Sequence, residues 1–323
     1  MHRAGFCAIL GRPNVGKSTL LNHVLGQKLA IVSPKPQTTR NRILGVHNVT
    51  DGDGAQIVFL DTPGIHRGRS PLNRTMVNEA LDAAANADVL LYLFEAPQTA
   101  ADQLAEHFEL GPAERVVIQE LTAVVQRKAG AKLVVAVNKV DRLRDRRALL
   151  PVLAGLEAAL AAANPLALVP ICARTGDGVT SLLAEIEKAL PEGADVYPEE
   201  MLTDRAERWL AAEMVREQVF LLCDKEVPYG AAVEIEVFEE RERDTAEGGR
   251  RDIFIEAALT VERDSQKGIV VGKGGRMIKE IGMRAREEIA GLVGCPVHLK
   301  LRVRVEAGWT ERADAVRRLG GFS

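Results

Sequence analysis

A glycine-rich stretch near the start of the chain has the residue types and spacing of a phosphate-binding loop. Gly11 and Gly16 allow the backbone to curl until successive N–H groups point inward at an anion. The stretch lies between the apolar run Phe6–Leu10 and a segment with helical apolar spacing, whose N-terminus adds a favourable field. Lys17 offers a positive charge to the β- and γ-phosphates, and the Ser18 hydroxyl is placed to ligate Mg²⁺. The spacing predicts a nucleoside triphosphate site formed by Gly11, Asn14, Val15, Gly16, Lys17, Ser18 and Thr19.

A second motif ends the apolar run Gln56–Leu60, which we expect to be a buried strand. In Asp61-Thr62-Pro63-Gly64, an acidic residue at the strand tip can hold Mg²⁺ through water, and the glycine N–H can contact the γ-phosphate. The polar, proline-broken stretch Ile31–Arg40 is interpreted as a switch loop, from which Thr39 closes over Mg²⁺, with Thr38 as the alternative. The predicted metal ligands are Ser18, Thr39 and Asp61; the predicted catalytic residues are Lys17, Thr39 and Gly64; and Thr62 and Pro63 also line the nucleotide site.

A third motif, Asn138-Lys139-Val140-Asp141, follows the apolar run Lys132–Val137 and has the chemistry to recognise guanine. The Asp141 carboxylate can accept from N1–H and the N2 amino group together, a pair of donors that adenine does not offer. Asn138 can bond the base edge and join this loop to the phosphate loop, while the stem of Lys139 packs over the ring. The motif therefore predicts binding of GTP and GDP rather than adenine nucleotides.

A last nucleotide contact is predicted after the apolar run Leu168–Cys172. Ala173 follows this run, and its N–H is placed to meet guanine O6, with Cys172 beside it in the same loop. Both residues are therefore counted among those that bind the nucleotide.

Composition sets the broad class of the protein. A chain of 323 residues is long for one core, so we expect two domains. The net charge of −3 gives no overall attraction to nucleic acid, so such binding requires a local basic patch. The four cysteines are widely separated, as in a reduced cytosolic protein, and no apolar run approaches the roughly 20 residues that span a bilayer.

The order of the motifs predicts the fold of the first domain. Apolar runs, among them Asp88–Phe94, alternate with helical segments and carry the motifs at their carboxyl ends, which indicates an α/β, doubly wound P-loop G domain with a mostly parallel sheet. The runs Arg42–Val49 and Gln56–Leu60 flank Asp51–Gly54, a hairpin signal. We expect the stretch Pro97–Pro112 to form a surface loop or an extra helix.

The rest of the chain predicts a second, α+β domain. The stretch Pro191–Glu200 is punctuated by proline and glycine, and Thr203-Asp204 is expected to cap a helix that runs to Cys223. The order is then strand, strand, helix, Gly-x-x-Gly, helix and strand, with the charged stretch Glu239–Arg251 separating the first two strands. The predicted boundaries are 1–190 for the G domain, 191–202 for a linker and 203–323 for a KH domain.

A Gly-x-x-Gly between two helices is typical of the KH clamp, which holds four nucleotides of single-stranded RNA. Gly272 and Gly275 let the backbone touch phosphates, and the stretch from Arg263 to Glu306 contains 10 Lys/Arg against 5 Asp/Glu, a local net charge of +5. The predicted RNA-binding residues are Gly272, Lys273, Gly274, Gly275, Arg276 and Lys279. The apolar residues Ile269, Val270, Ile278 and Ile281 either line a groove for bases or belong to the core.

Taken together, these motifs resemble the Era family of bacterial GTPases, which join a Ras-like G domain to a C-terminal type II KH domain. Further marks of this resemblance are Gln37-Thr38-Thr39-Arg40, Gly308-Trp309 and Leu319-Gly320. The resemblance implies a GTP-switched assembly factor for the 30S subunit that grips the 3′ end of 16S rRNA. Some members associate peripherally with the inner membrane. Two departures are Cys172-Ala173, where the family usually has Ser-Ala, and a long Pro97–Val117 region.

The favoured hypothesis is a slow, monomeric, cytoplasmic GTPase that switches on rRNA. Ile65 stands where Ras-like switches have the glutamine that orients water, which predicts slow intrinsic turnover. Asn14 offers a side-chain carbonyl that could bind K⁺ beside the β–γ bridging oxygen, although a hydrogen bond to the loop backbone is an equal alternative. Two other hypotheses stay open: an RNA-binding adaptor that nucleotide merely stabilises, and a peripheral inner-membrane signalling GTPase that couples growth or the cell cycle to the state of the ribosome.

Overall fold

A computed structural model of the protein describes residues 1–50, 54–65, 70–97, 108–128, 130–245 and 248–322. The chain divides into two compact units. The first contains Met1–Ala30, the segment that begins at Thr39, and Thr75–Asp204. The second contains the segment that begins at Arg205 together with Ile31–Thr38 and 70–74. Within the described residues, no helix is long and apolar enough to cross a membrane.

The first unit is a P-loop α/β fold built on a mostly parallel sheet. Its strands lie in the order β2-β3-β1-β4-β5-β6, and only the pairing of β2 with β3 is antiparallel among the described strands of this sheet. The strands are β1 (Arg3–Leu10), β2 (Ile43–Val49), β3 (Ala55–Asp61), β4 (Val89–Glu95), β5 (Lys132–Asn138) and β6 (Ala167–Pro170). The helices are α1 (Lys17–Leu25), α2 (Pro71–Asn86), α3 (Pro112–Arg127), α4 (Leu149–Ala159) and α5 (Val179–Ala189).

The central strands are mostly apolar and are buried along nearly their whole length because the sheet is covered on both faces. Every residue of β3 is buried, as are six of the seven in both β4 and β5. The parallel register aligns Ile9 with Asp61 and Glu95 with Asn138. The carboxyl ends of β1, β3, β4 and β5 therefore meet at one edge of the sheet, which is where the sequence motifs lie.

Two stretches of the first unit, the predicted hairpin turn and the stretch predicted as a surface loop or an extra helix, lie partly outside the described residues. These parts are 51–53 in the predicted hairpin and 98–107 in the long stretch after β4. The antiparallel pairing of β2 with β3 is itself present. The described end of the long stretch leads into α3, which begins at Pro112 after the N-cap Gly111. A proline at the first helical position costs no hydrogen bond, which explains why the helix begins there.

The second unit has the predicted order of elements. These are α6 (Glu207–Leu222), β7 (Ala232–Thr245), β8 (Gly248–Val261), α7 (Asp264–Val271), α8 (Arg276–Val293), β9 (Val297–Val305) and α9 (Ala313–Gly320). In its sheet β8 pairs with β7 in the antiparallel and with β9 in the parallel sense. The core lies between this sheet and the buried faces of α6 and α8, where α8 contributes Ile281, Ala285, Ile289 and Val293 at a spacing of one residue per turn.

Two boundaries in this unit differ from those predicted. The helix α6 is capped by Ala206 rather than by Thr203-Asp204, because the first helical hydrogen bonds, from the Trp209 and Leu210 amides, end on the Ala206 carbonyl. Residues 239–245 and 248–251 of the charged stretch continue the two strands of the hairpin instead of separating two short strands. Its charges compensate each other, as in the ion pair between Arg251 Nε and Glu240 Oε1 at 2.5 Å, so a charged sequence is compatible with strand pairing.

Candidate functional site

The phosphate loop is held against the guanine motif. Gly16 has a φ of 105°, and a side chain there would collide with the Asn138 amide. That amide donates from Nδ2 to the Val15 carbonyl at 2.7 Å, so the third motif supports the first directly. Only glycine meets both demands at this position, a positive φ and no Cβ.

Lys17 is buried at the start of α1, with 6% of its surface exposed. Its Nζ donates to the Gly11 carbonyl at 3.3 Å and to the Arg12 carbonyl at 3.0 Å. Burial lowers the pKa of Lys17 to about 8, although the negative charge of Asp61 opposes this change. An arriving phosphate would favour the charged amine, so the site is built to receive an anion.

The predicted metal ligands converge. Ser18 Oγ lies 2.8 Å from Thr39 Oγ1 and donates to Asp61 Oδ2 at 2.7 Å, and Thr39 Oγ1 donates to the same oxygen at 3.3 Å. Asp61 is fully buried, and burial raises its pKa. Its Oδ1 accepts no hydrogen bond from any residue that the structure describes. Hydroxyl and carboxylate oxygens around an unsatisfied buried acceptor fit a hard cation such as Mg²⁺.

Thr38 and Thr39 are in different surroundings. Thr39 is 7% exposed and joins Ser18 and Asp61. Thr38 belongs to the second unit, where its carbonyl accepts from Arg216 Nη2 of α6 at 2.5 Å. The structure therefore places Thr39, and not Thr38, beside the other predicted metal ligands.

The second motif is fastened to the strand and loop that it faces. Thr62 Oγ1 donates to the Ile9 carbonyl at 2.7 Å, and the Ile65 amide donates to the Gly11 carbonyl at 3.1 Å. A Cβ on Gly64 would lie 2.5 Å from the Pro13 nitrogen, so only glycine fits between the motifs. Ile65 is 3% exposed and packs into the core, so its side chain cannot orient an attacking water.

Both polar atoms of the Asn138 side-chain amide form hydrogen bonds within the protein. Nδ2 bonds Val15, and Oδ1 accepts from the Ala173 amide at 2.9 Å. Ala173 N–H thus has a protein partner here, and its predicted bond to guanine O6 would share or exchange that donor.

Lys139 has a φ of 65°, and its Nζ donates to the Asn14 carbonyl at 2.7 Å and to Glu95 Oε1 at 2.9 Å.

Asp141 is positioned by the loop after β6. Arg174 Nη2 donates to its Oδ2 at 3.0 Å, and the Cys172 thiol forms a second hydrogen bond to the carboxylate. Partial burial raises the pKa of Asp141, but these bonds outweigh it and hold the pKa below its ordinary value. Cys172 thus supplies a side-chain donor to Asp141, and the carboxylate stays an acceptor.

An open cavity beside α1 brings Thr19 and Ala173 to one wall. Sequence reasoning missed the other residues that line it. No motif marks them, although Asn22 and His23 follow Thr19 by one helical turn and so lie on its face of α1. The missed residues are Asn22, His23, Gly26, Gln27, Lys28 and Arg174.

The Gly-x-x-Gly stretch of the second unit joins α7 to α8. Gly272 has a φ of 71°, and a Cβ there would lie 2.7 Å from Met277 Cβ, so the turn requires glycine. Lys273, Arg276 and Lys279 are exposed on or just after this turn. Beside it α8 and β9 form a groove lined by Ile278, Lys279, Gly282, Met283, Arg286, Leu299 and Leu301.

The four apolar residues that were expected to lie either in a groove or in the core do not all share one place. Val270 and Ile281 are fully buried in the core, and Ile269 is 48% exposed, so only Ile278 of the predicted apolar set lines the groove. Met283 and Arg286 were missed, although their spacing from Lys279 places them on one helix face. Leu299 and Leu301 were missed because the pairing of β9 with β8 decides which strand edge is open.

Two sets of basic side chains in this unit differ in their ion pairs. On β9, Lys300 pairs with Glu256 at 2.9 Å, and Arg302 and Arg304 pair with glutamates of β7. By contrast, Lys273, Arg276, Lys279 and Arg286 form no ion pair with any described residue. The turn and the groove therefore carry positive charge that no described carboxylate compensates.

The fold and the nucleotide loops define a P-loop GTPase that carries a KH domain. Models of the families agree: residues 6–139 match the "50S ribosome-binding GTPase" family and residues 226–310 match the KH domain. Curated relatives named GTPase Era include those of Geobacter metallireducens, 47% identical over 98% of this chain and 97% of the relative, and of Syntrophus aciditrophicus, 43% identical over 99% and 95%. The chain belongs to the Era family of GTPases.

Solved structures of Era proteins match over nearly the full length. An Aquifex aeolicus Era variant bound to GDP·AlF4⁻ is 36% identical, with a TM-score of 0.85 over 98% of this chain and 99% of that one. Era in complex with MgGDPNP and nucleotides 1506–1542 of 16S ribosomal RNA is 36% identical, with a TM-score of 0.86 over 99% of both chains. Both matches include the G domain and the KH domain, as the resemblance implied.

The substitution Asp141→Asn should change the base specificity from guanine toward xanthine. The asparagine amide presents a donor to a guanine donor, and a buried donor without a partner costs about 1–3 kcal/mol, so GTP affinity should fall by about tenfold or more. Competition binding with GTP and xanthosine triphosphate measures the change. Full GTP affinity in the variant would refute the assignment of this loop.

The substitution Thr39→Ala should weaken binding of a non-hydrolysable GTP analogue by about tenfold while leaving GDP affinity unchanged, because the lost hydroxyl is a metal ligand only when the γ-phosphate is present. Thr38→Ala is the matched control, since the recorded contact of Thr38 is made by its backbone. Titration of Mg²⁺ with each nucleotide gives the comparison. An equal loss in both variants, or a loss for GDP as well, contradicts the role given to Thr39.

Proposed function

We propose that this protein is a GTP-switched factor that binds 16S rRNA near its 3′ end through its KH domain and assists assembly of the 30S subunit. The observation that carries this proposal is the presence, in one chain, of a convergent Ser18–Thr39–Asp61 cluster and of uncompensated cations on a Gly-x-x-Gly clamp. An adaptor that does not hydrolyse GTP would not need the Ser18–Thr39–Asp61 cluster. A G domain that does not bind RNA would not need the cations of the clamp.

The ligands of the G domain are GTP, GDP and Mg²⁺. Ser18 and Thr39 would hold the cation directly and Asp61 through water, and the bound Mg²⁺ supplies positive charge to the phosphate oxygens. Lys17, the loop amides and the Gly64 N–H would stabilise the transferring phosphoryl group. Asp141 would select guanine, with Asn138, Lys139, Cys172 and Ala173 holding its loop.

The RNA partner is proposed from the chemistry of the clamp and from one relative. The Gly-x-x-Gly turn has no side chains at its glycines, so phosphates can approach its backbone, and it lies beside the cations Lys273, Arg276 and Lys279. The adjoining groove is lined by the apolar residues Leu299 and Leu301, against which bases could pack. The Era protein of 36% identity was solved with nucleotides 1506–1542 of 16S rRNA. That likeness supports the same region of rRNA for this chain.

Crosslinking in living cells, followed by sequencing of the bound RNA, tests this partner. Reads should accumulate at the 3′ end of 16S rRNA, and depletion of the protein should cause incomplete 30S particles to accumulate. The matched G-domain family is named for the 50S subunit, so 23S rRNA is the other RNA to compare. Reads concentrated on 23S rRNA would overturn the proposal.

We also propose that the protein acts as a cytoplasmic monomer, with domains at 1–190 and 203–323 joined by 191–202.

The double substitution Lys273→Asp with Gly274→Asp should abolish RNA binding and leave GTP binding intact. Gly274 has a φ of 60°, which aspartate tolerates better than most residues, and nothing lies within 4 Å of its added Cβ, so the fold should persist. The two carboxylates would face the phosphates and turn attraction into repulsion. Binding of a 16S 3′-end oligonucleotide at physiological salt is the measurement.

A matched control changes the same charge elsewhere in the domain. Lys300→Asp with Gly291→Asp alters the net charge equally, but Lys300 is already paired with Glu256, and no atom lies within 4 Å of a Cβ added to Gly291. This control should retain most of its RNA affinity. If both double variants lose binding equally, general charge rather than the clamp determines affinity, and the assignment fails.

Asn14 is proposed to bind K⁺ and so to assist hydrolysis where Ile65 cannot. Asn14 has a φ of 65°, so Asn14→Gly removes the side chain without straining the backbone. GTP turnover of the wild type should be faster in K⁺ than in Na⁺ at matched ionic strength, and this difference should disappear in the variant. Equal turnover in both salts, or a K⁺ effect that survives in Asn14→Gly, would exclude the role.

A further inference from the structure

A buried carboxylate outside the nucleotide motifs contacts the phosphate loop. Glu114 lies in the first turn of α3, and its side chain is 7% exposed. Its Oε1 accepts from Arg12 Nη1 at 3.2 Å, and its Oε2 accepts from the Tyr92 hydroxyl at 2.6 Å. Each oxygen therefore has a donor, and the rotamer of this carboxylate is fixed from two directions.

The elements that hold Glu114 are rigid. Tyr92 is fully buried in β4, where it pairs with Leu10, the residue that precedes the phosphate loop. Burial raises the pKa of Tyr92 well above its ordinary value, and the Glu114 charge adds to this change, so the hydroxyl stays a donor. The sheet thus fixes Glu114 from the strand next to the one that carries the loop.

The other partner, Arg12, is part of the phosphate loop itself. Its side chain is 45% exposed and its guanidinium contacts Glu114, while its backbone carbonyl accepts from Lys17 Nζ at 3.0 Å. One residue of the loop therefore contacts both Glu114, through its side chain, and Lys17, through its backbone. A continuous set of contacts runs from Tyr92 through Glu114 and Arg12 to the lysine that contacts phosphate.

We propose that Glu114 is a positioning residue for GTP hydrolysis, which fixes Arg12 and through it the carbonyl that aims Lys17 at the γ-phosphate. The proposal explains why an acidic residue is buried at this place, where a leucine would fill the space without desolvating a charge. Hydrolysis depends on the placement of positive charge more than binding does, because negative charge moves in the transition state.

Single-turnover hydrolysis separates this role from a merely structural one. Glu114→Gln and Arg12→Gln should each slow hydrolysis by about tenfold, since misplacing a catalytic group by about 1 Å costs up to a hundredfold. GDP affinity should change less than the rate does. Arg12→Lys, which keeps the charge, should recover most of the rate, and Tyr92→Phe should give a smaller loss of the same kind.

The double variant Arg12→Gln with Glu114→Gln should be no slower than the slower single variant, because both changes break the same set of contacts. Glu120→Gln, an exposed position on the same helix, is the control and should hydrolyse GTP at the wild-type rate. The proposal is overturned if Glu114→Gln lowers the unfolding temperature but not the rate. It is also overturned if the two losses multiply in the double variant, or if the control is equally slow.

Discussion

The nucleotide site depends on a lysine and a carboxylate that are buried together. Lys17 and Asp61 are both nearly inaccessible to water, and burial lowers the pKa of the lysine while it raises that of the acid. Each charge opposes the shift of the other, but the carboxylate is not fully satisfied, since Asp61 Oδ1 has no partner in the described part of the chain. A phosphate beside the lysine and a cation beside the carboxylate would relieve both costs. Nucleotide and metal therefore complete an electrostatic arrangement that the folded protein leaves unfinished.

Most of the protein around this pair serves to hold it in place. The parallel sheet brings the ends of β1 and β3 into register, with Ile9 opposite Asp61. The Asn138 amide joins two neighbouring loops, since its Nδ2 donates to Val15 and its Oδ1 accepts from Ala173. Gly16 and Gly64 lie where any side chain would separate the loops. Such contacts fix groups in advance, so that little reorganisation is needed during the reaction.

The motifs could be predicted from sequence because each requires particular residue types at consecutive positions. Ser18, Thr39 and Asp61 lie together because of the order of the strands in the sheet. The alternation of strands and helices in the sequence indicates that order. Glu114 and the groove residues Leu299 and Leu301 could not be predicted in this way, since their roles depend on which strand or helix lies next to them. The predicted position of the α6 cap was wrong for a related reason. Thr203-Asp204 has residue types that suit a helix start, but the first helical hydrogen bond is accepted by Ala206. The chemistry of consecutive residues can be predicted from the sequence, whereas contacts between distant elements cannot.

The charge of the KH domain illustrates the same distinction. Counting residues from 263 to 306 gives a net charge of +5, which suggests a broad basic surface. In the structure the cations of β9 face glutamates from β7 and β8, outside the counted stretch, so they attract an anion only weakly at a distance. The cations of the clamp have no such partners among the described residues. Phosphate binding releases counterions only where charge is uncompensated. The strand pairing therefore compensates the cations of β9, whereas those of the clamp, beside the groove in which bases would be held, stay available to an anion.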